Sequence, residues 1–336
     1  MKITNNYGLP QTIVNAVHRP TYTKEGANMS VTELLGSPRI VQLKRRYWDQ
    51  LEQDASEMVW SLFGTAIHQV LEHGKDDNHV IEQRLHANVD GWHISGAIDL
   101  QVVTPDGIEI SDYKTTSAYK VMAGSMDWEE QLNIYAYLVE AHKKVPVTKI
   151  QIVAIVRDWS GREAAYKEGY PKAPIVVIDI PLWPFAQREH FVRDRITAHS
   201  DATFAEETDE ELPECTPKDM WEKKTTYAIM KDGGVRAKSV HPSKEEAEKS
   251  WAEIKDYTKY QIVERPGERT RCANYCQVSK YCDLYRQFLN QSQPGWLWIS
   301  HEYTGEISLF EEISWKFPFL QQYSIGNLTA ESAVWI

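Results

Sequence analysis

Three charged residues of this sequence sit on segments that otherwise read as core strands. Asp112 and Lys114 lie two residues apart in IEISDYK, so the period-2 alternation of a strand puts them on one face. Asp99 closes the run Gly96-Ala-Ile-Asp99 on the preceding segment, a short turn away, where it can stand beside them. Two carboxylates on neighbouring strands repel unless a proton or a cation holds them. Mg2+ and Mn2+ prefer oxygen ligands of this kind. A metal so held lowers the pKa of a bound water and polarises a phosphoryl oxygen, and a lysine beside it can orient that water and stabilise developing charge. The alternative is an Asp99 that marks a strand edge and an Asp112–Lys114 surface ion pair. Ile98, Leu100, Ile108 and Ile110 favour the metal reading, because they make these strands core elements.

The elements that must position these residues follow from pattern. Val80 to Lys114 reads as three strands, VIEQRLHANV, HISGAIDLQVV and IEISDYK, separated by turn signals at Asp90-Gly91 and Pro105-Asp106-Gly107. A helical region from about Ser30 to Gly74 precedes them. Its last helix is expected to be capped by Asp54 with Glu57 three residues on, and to present Val59, Phe63, Ile67 and Val70 at helical spacing. A second helix is predicted from Asp127, boxed by Glu130, to about His142. The strands KIQIVAIV and PIVVIDIPLW and a helix over Phe185–His199 follow. Helix, three strands, helix, two strands, helix is the order of a mixed sheet flanked by helices, an α/β fold. Residues 1–30 read as a polar N-terminal arm and 31–200 as the core. Residues 201–290 read as an acidic loop, a hairpin about Gly233-Gly234, a helix over Ser243–Tyr257 and a cysteine-bearing segment. Residues 291–336 form an aromatic tail, with Trp296, Trp298, Trp315, Phe317 and Phe319, of unassigned role.

Two further features fall on these elements. His68 lies one turn after Gly64, which leaves room for close approach, and Gln131 and Tyr135 share one helix face at i and i+4. Alone, His68 reads as a core histidine and Gln131/Tyr135 as a polar edge. Taken in order, Gly64…His68, Gly96-Ala-Ile-Asp99, Asp112-Tyr113-Lys114 and Gln131…Tyr135 resemble the RecB-like branch of the PD-(D/E)XK nucleases. That resemblance implies a restriction-endonuclease-like core and a Mg2+- or Mn2+-dependent deoxyribonuclease, expected to be an exonuclease. It implies His68, Asp99 and Asp112 as metal ligands, the Tyr113 carbonyl as a further one, Lys114 as the catalytic lysine, and Gln131 and Tyr135 bordering the site. Glu82 stands where some related nucleases place another acid.

All four cysteines lie beyond residue 214. In a cytosolic chain this points to metal binding or reactive thiols rather than disulfides. Cys272, Cys276 and Cys282 are spaced C-x3-C-x5-C, and Cys215 stands apart. Four thiolates suit Zn2+ or a [4Fe–4S] cluster equally well on count. One distant cysteine plus a C-terminal triplet resembles the iron–sulfur staple of several RecB-like nucleases, though here the first gap is three residues and the lone cysteine follows the core. The segments SVTELLGSPRIVQLKRR and ECTPKDMW resemble uncharacterised bacteriophage members of the superfamily, which implies a role in DNA recombination, replication or repair.

Composition bounds the rest. A net charge of −11 argues against a broad non-specific nucleic-acid coat but allows a local basic groove. Candidates are Lys44, Arg45 and Arg46, then Arg157 and Arg162, then Arg188, Arg193 and Arg195; each cluster reads equally well as a solvated helix face. No apolar run reaches the roughly 20 residues of a membrane span, and MKITNNYGLP lacks a signal-peptide core, so a cytoplasmic location is expected. DNA is the expected partner, with homo-oligomers or phage recombination and replication proteins as further ones. Two other classes stand beside the enzyme: a non-catalytic DNA- or partner-binding module that keeps the fold, and a redox or regulatory iron–sulfur protein.

Overall fold

A computed structural model describes residues 1–18, 24–74 and 76–292. The first 30 residues, expected to be irregular, carry regular elements. β1 (Lys2–Thr4) pairs in parallel with Glu52–Asp54, α1 (Gln11–His18) packs beside Val59–Leu71, and β2 (Met29–Ser30) joins the main sheet. Ser30 opens α2 (Val31–Leu35) with a capping box: its hydroxyl accepts from Glu33 N, and the Glu33 carboxylate accepts from Ser30 N. α3 (Pro38–Arg46) starts on Pro38, whose missing N–H costs nothing in a first turn. β3 (Glu52–Asp54) is the partner of β1. The expected cap on the next helix is displaced. Asp54 accepts from Ser56 N and caps a single 3₁₀ turn, Ala55–Met58, after which α4 (Val59–Leu71) begins without a side-chain cap. Nor is α4 the core helix its periodicity suggests, since Val59, Phe63 and Val70 are exposed. The face turned to the sheet carries Gly64, next to Thr115, and His68, which leaves the apolar stripe outward. A Cβ at Gly64 would make only ordinary contact with Thr115, at 3.5 Å, so the close approach expected there is not needed.

β4 (His79–Val89), β5 (Trp92–Thr104) and β6 (Gly107–Thr116) form the expected antiparallel meander. Positive φ at both Asp90 and Gly91 gives the tight two-residue turn between the first two. α5 (Ala118–Ala123) and α6 (Met126–Lys143) lead to β7 (Val147–Val156), which pairs in parallel with β6. α7 (Gly161–Tyr166) and the antiparallel edge strand β8 (Ile175–Ile180) follow. The six-stranded mixed sheet runs β2-β5-β6-β7-β8, with β4 on the other edge of β5. Glu130 does not box α6; its carboxylate takes Lys218 Nζ at 2.8 Å instead. Residues Leu132 to Val139 of α6 are buried on every side, because the helix lies between the sheet and its neighbours α2 and Phe185–Glu207. Gly96 of β5 makes that approach possible: a Cβ there would lie 2.8 Å from Tyr135 Cε1 and 2.9 Å from Val31 Cγ2.

α8 (Phe185–Glu207) does not stop near His199, and the acidic loop expected from Asp201 is helical to Glu207. Ile196, His199, Ala202 and Ala205 keep one buried face going, and Arg46 grips Glu206 from α3. After α9 (Pro217–Met220) and β9 (Glu222–Lys223) comes the insert. β10 (Thr226–Lys231) and β11 (Ala237–His241) form the expected hairpin, α10 (Lys244–Ala252) ends five residues early, and β12 (Tyr260–Arg265) adds an unforeseen third strand against β10. Trp251 Nε1 donates to Tyr260 O, so the segment between them turns back to the sheet instead of extending the helix. β13 (Glu268–Arg269) pairs with β9 and closes the insert, ahead of α11 (Thr270–Asn274) and α12 (Asp283–Ser292). A second core holds this region to the first helices through Leu43, Leu51, Ala205, Leu212, Met220 and Val278. Buried Arg39 stitches it further, donating to Leu212 O and pairing with Asp283. The aromatic tail, with Trp296, Trp298, Trp315, Phe317 and Phe319, lies outside the described residues.

Candidate metal centre

Strand register builds the site. Ile81 pairs with Leu100 and Gln83 with Ile98, so Glu82 stands opposite Asp99. Leu100 pairs with Ser111, so the next step along the two strands brings Asp99 opposite Asp112. Three carboxylates thus form a row across β4, β5 and β6. The β5–β6 ladder stops at this level, and Asp99 Oδ2 takes the Tyr113 amide in its place, at 2.7 Å. Glu82 adopts a left-handed conformation (φ 50°), unusual for this residue type and the kind of strain found at functional positions.

α4 lays His68 over the row. Its Nδ1 is 3.2 Å from Glu82 Oε1 and 3.6 Å from Asp99 Oδ1, and its Nε2 is 3.2 Å from the Tyr113 carbonyl. Both ring nitrogens face acceptors, which a ring protonated at both satisfies. The hydrogen bond to Glu82 accordingly raises the His68 pKa above its usual range against the opposing effect of burial, with the charges of Asp99, Glu82 and Asp112 adding to the rise. Burial first, and then the charge of Asp112, hold the Asp99 carboxyl well above the usual carboxylate range, against His68, the Tyr113 amide and Lys114.

Asp112, only 2% exposed, is turned to Lys114, whose Nζ lies 2.7 Å from Oδ2. Lys114 is the one partner of this buried oxygen among the described residues. A carboxylate oxygen has more than one acceptor site, so Asp112 keeps capacity for a cation. Ligand atoms of His68, Glu82 and Asp99 lie within 4.8 Å of one another, close enough for one ion with bonds of about 2.0–2.2 Å. A crowded acid row, a buried Asp112 carboxylate with spare acceptor capacity and an imidazole carrying a displaceable proton fit Mg2+ or Mn2+. Glu82, a minor candidate in the sequence, is one of this trio, and Asp112 stands on the other side of Asp99. Gln131 Nε2 donates to Tyr135 Oη at 2.8 Å, and the Tyr135 ring lies on Gly96, three residues before Asp99.

The PD-(D/E)XK nuclease superfamily matches residues 77–283, from the start of β4 into α12. The chain belongs to that superfamily. The match takes in Glu82, Asp99, Asp112, Lys114, the Gln131/Tyr135 helix and all four cysteines, while His68 lies just ahead of it. The mixed α/β architecture with a central sheet flanked by helices is consistent with the restriction-endonuclease-like fold of this superfamily. A solved structure titled "Crystal structure of SSO0001" is similar at 20% identity, covering 55% of this chain and 83% of that one, with a TM-score of 0.38. No curated protein matches the chain. No helix among the described residues is long and apolar enough to cross a membrane.

In this PD-(D/E)XK chain the four cysteines converge. Cys215, Cys272, Cys276 and Cys282 line one small cavity between α3 and the C-terminal segment. All are free thiols; burial pushes Cys215 up to about 11 and Cys272 up to about 12, the neighbouring sulfurs adding to both. The basic clusters separate into two kinds. Arg46 is bound to Glu206, Arg188 to Glu140, and Arg193 to Asp90, while Arg195 donates to the carbonyls of Leu34 and Gly36. These hold the fold. Lys44, Arg45, Arg157 and Arg162 have no ion pair among the described residues.

Proposed function

We propose that the protein is a Mg2+- or Mn2+-dependent deoxyribonuclease of the RecB-like branch, acting on DNA ends. The carboxylate row under His68 carries this reading. His68, Glu82, Asp99, Asp112 and the Tyr113 carbonyl would hold the metal. When bound, the metal supplies polarisation of the phosphoryl oxygen and a lowered pKa for the attacking water. Asp112 holds the Lys114 ammonium at the row, where it can orient that water and donate to the charge that develops on the phosphate. Asp99 fixes the Tyr113 carbonyl's strand by taking its amide, and Gln131 and Tyr135 brace β5 through Gly96. The complete set of acids with the lysine favours an enzyme over a binding module that keeps only the fold. Sequence likeness to phage proteins supports a role in recombination, replication or repair.

The cysteines are read as holding a [4Fe–4S] cluster that staples the C-terminal segment to α3. The four thiols lining one small cavity support a shared metal group, and the lone cysteine with a C-terminal triplet, like the staple of RecB-like nucleases, favours iron–sulfur over zinc. Anaerobic purification should give a brown protein with iron, sulfide and absorbance near 400 nm; zinc without iron would sink the assignment.

The nuclease reading is tested with end-labelled linear, circular, single-stranded and duplex DNA, with Mn2+ or with chelator. Cleavage of linear but not circular DNA is expected. Metal-dependent cleavage by purified Asp112→Asn protein at the parent rate would defeat it.

A further inference from the structure

A groove of about 690 Å3 runs between α4 and α11, beside the cysteine cavity, with Arg271 and Cys276 in both walls. Its volume is in the range that accommodates a sizeable ligand. Its chemistry is specific. Lys44 and Arg271 line it without an ion pair among the described residues. Arg271 is held by the Asp219 carbonyl and lies over the Trp221 ring, contacts that aim its charge without neutralising it. Of the two acids in the wall, Glu52 is tied to Lys2 at 3.0 Å, leaving Glu57 against two cations.

The groove also presents aromatic rings to water. Trp60 is 55% and Tyr275 65% exposed, and Trp221, at 5.2 Å from Tyr275, extends that surface. Bare rings interleaved with unpaired cations form a stacking platform for bases with a channel for phosphates. The groove shares α4 with the carboxylate row. Trp60 precedes His68 by eight residues on α4, about 12 Å along the helix. The guanidinium of exposed Arg157 lies 4.3 Å from the centre of the Trp60 ring, and the Arg157 amide donates to Thr116 O, two residues past Lys114. One side of Trp60 thus faces the groove, and its cationic partner is bonded to the strand that carries Lys114.

We infer that this groove binds single-stranded nucleic acid, its bases stacked on Trp60 and Tyr275 and its phosphates facing Lys44 and Arg271, and delivers that strand past Arg157 to the row at Lys114. Delivery rests on the nuclease reading; binding does not. A duplex cannot use the platform, because its bases are already stacked on one another.

The test is fluorescence anisotropy of labelled oligothymidylate, and of a duplex of the same length, with the full chain in chelator. Trp60→Ala and Tyr275→Ala should each weaken strand binding roughly 5- to 150-fold. Tyr275→Phe, which keeps the ring, should bind like the parent. Lys44→Gln should reduce the slope of log affinity against log salt by about 0.7. Both aromatics are largely exposed, so circular dichroism should report folded variants. Parent-like affinity in folded Trp60→Ala and Tyr275→Ala proteins would overturn the inference, as would a duplex bound as tightly as the strand. The two readings fail separately. A parent that cleaves DNA while these variants bind unchanged sinks the groove alone. A parent that never cleaves, while Tyr275→Ala loses binding, upholds the groove and sinks the nuclease.

Discussion

Replacing Asp112 by Asn should stabilise the metal-free protein and remove most of the stabilisation that Mn2+ gives it. Side chains directly opposite on neighbouring strands stand about 4.5–5.5 Å apart at Cβ. Two charges at about 5 Å in an effective dielectric of about 20 repel by roughly 3 kcal/mol. The nearby Lys114 offsets part of this, but Asp112 is buried, and the cost of desolvating a buried carboxylate cancels most of the Coulomb gain, leaving about 1 kcal/mol or less. In the variant Lys114 turns to water, while the Asp112–Asp99 repulsion and the burial of an anionic side chain both disappear. The net gain expected is about 1–2 kcal/mol, or roughly 2–8 °C in Tm at the 2–4 °C per kcal/mol typical of larger domains. Mn2+ at a hundred times its Kd should add about 2.7 kcal/mol to the parent, and less than half of that to the variant.

The pH dependence of this effect has a definite sign. Asp99 titrates higher folded than unfolded, so its contribution is complete below the ordinary carboxylate range and is lost as pH rises through the raised value. The gap between variant and parent in chelator should therefore widen as pH rises. Urea unfolding in chelator at several pH values, repeated with Mn2+, measures all of this. A variant at least 1 kcal/mol less stable than the parent in chelator would refute the repulsive row.

Lys114→Ala should keep the Mn2+-induced rise in Tm yet lose about 10²- to 10⁴-fold in DNA cleavage rate, because in the proposed mechanism the lysine acts on charge developing in the reaction and not on metal binding. Gly96→Ala should cost about 1–3 kcal/mol by urea unfolding, since its Cβ would press on Tyr135 and Val31. Burial lowers the pKa of His199 from 6.5 to about 4, so the unfolded chain takes up a proton that the folded one refuses. Stability should fall by up to about 3 kcal/mol as pH drops from 6.5 to 4, and His199→Gln should flatten that fall in a pH series of unfolding midpoints. Cys276→Ser should abolish iron incorporation, read by metal analysis and absorbance, and lower Tm through the C-terminal segment.

Much of the candidate metal centre is local, and that is why the sequence discloses it. The two-residue turn at Asp90-Gly91 sets Val89 opposite Trp92, and counting back along both strands brings Glu82 to Asp99. The turn at Pro105-Asp106 sets Thr104 opposite Gly107, and the same count brings Asp99 to Asp112. Two hairpins thus specify the row of acids, and their register alone is enough to place Glu82 in it. The orientation of α4 is a different matter. Its apolar stripe is plain in the sequence, but periodicity says only that a face exists, and here the polar contacts of His68 decide which face meets the sheet. The end of α8 is hidden for a related reason: the acids after Asp201 suggest a solvated loop, whereas Ala202 and Ala205 carry a narrow buried face underneath them. The groove is the extreme case. Trp60 and Tyr275 are more than two hundred residues apart, and only the second core around Leu43, Leu51 and Val278, which packs the cysteine segment against the first helices, makes them one surface. Loss of the cysteine cluster should therefore disturb the groove before the carboxylate row, because hairpin register holds the row whereas long-range packing alone holds the groove.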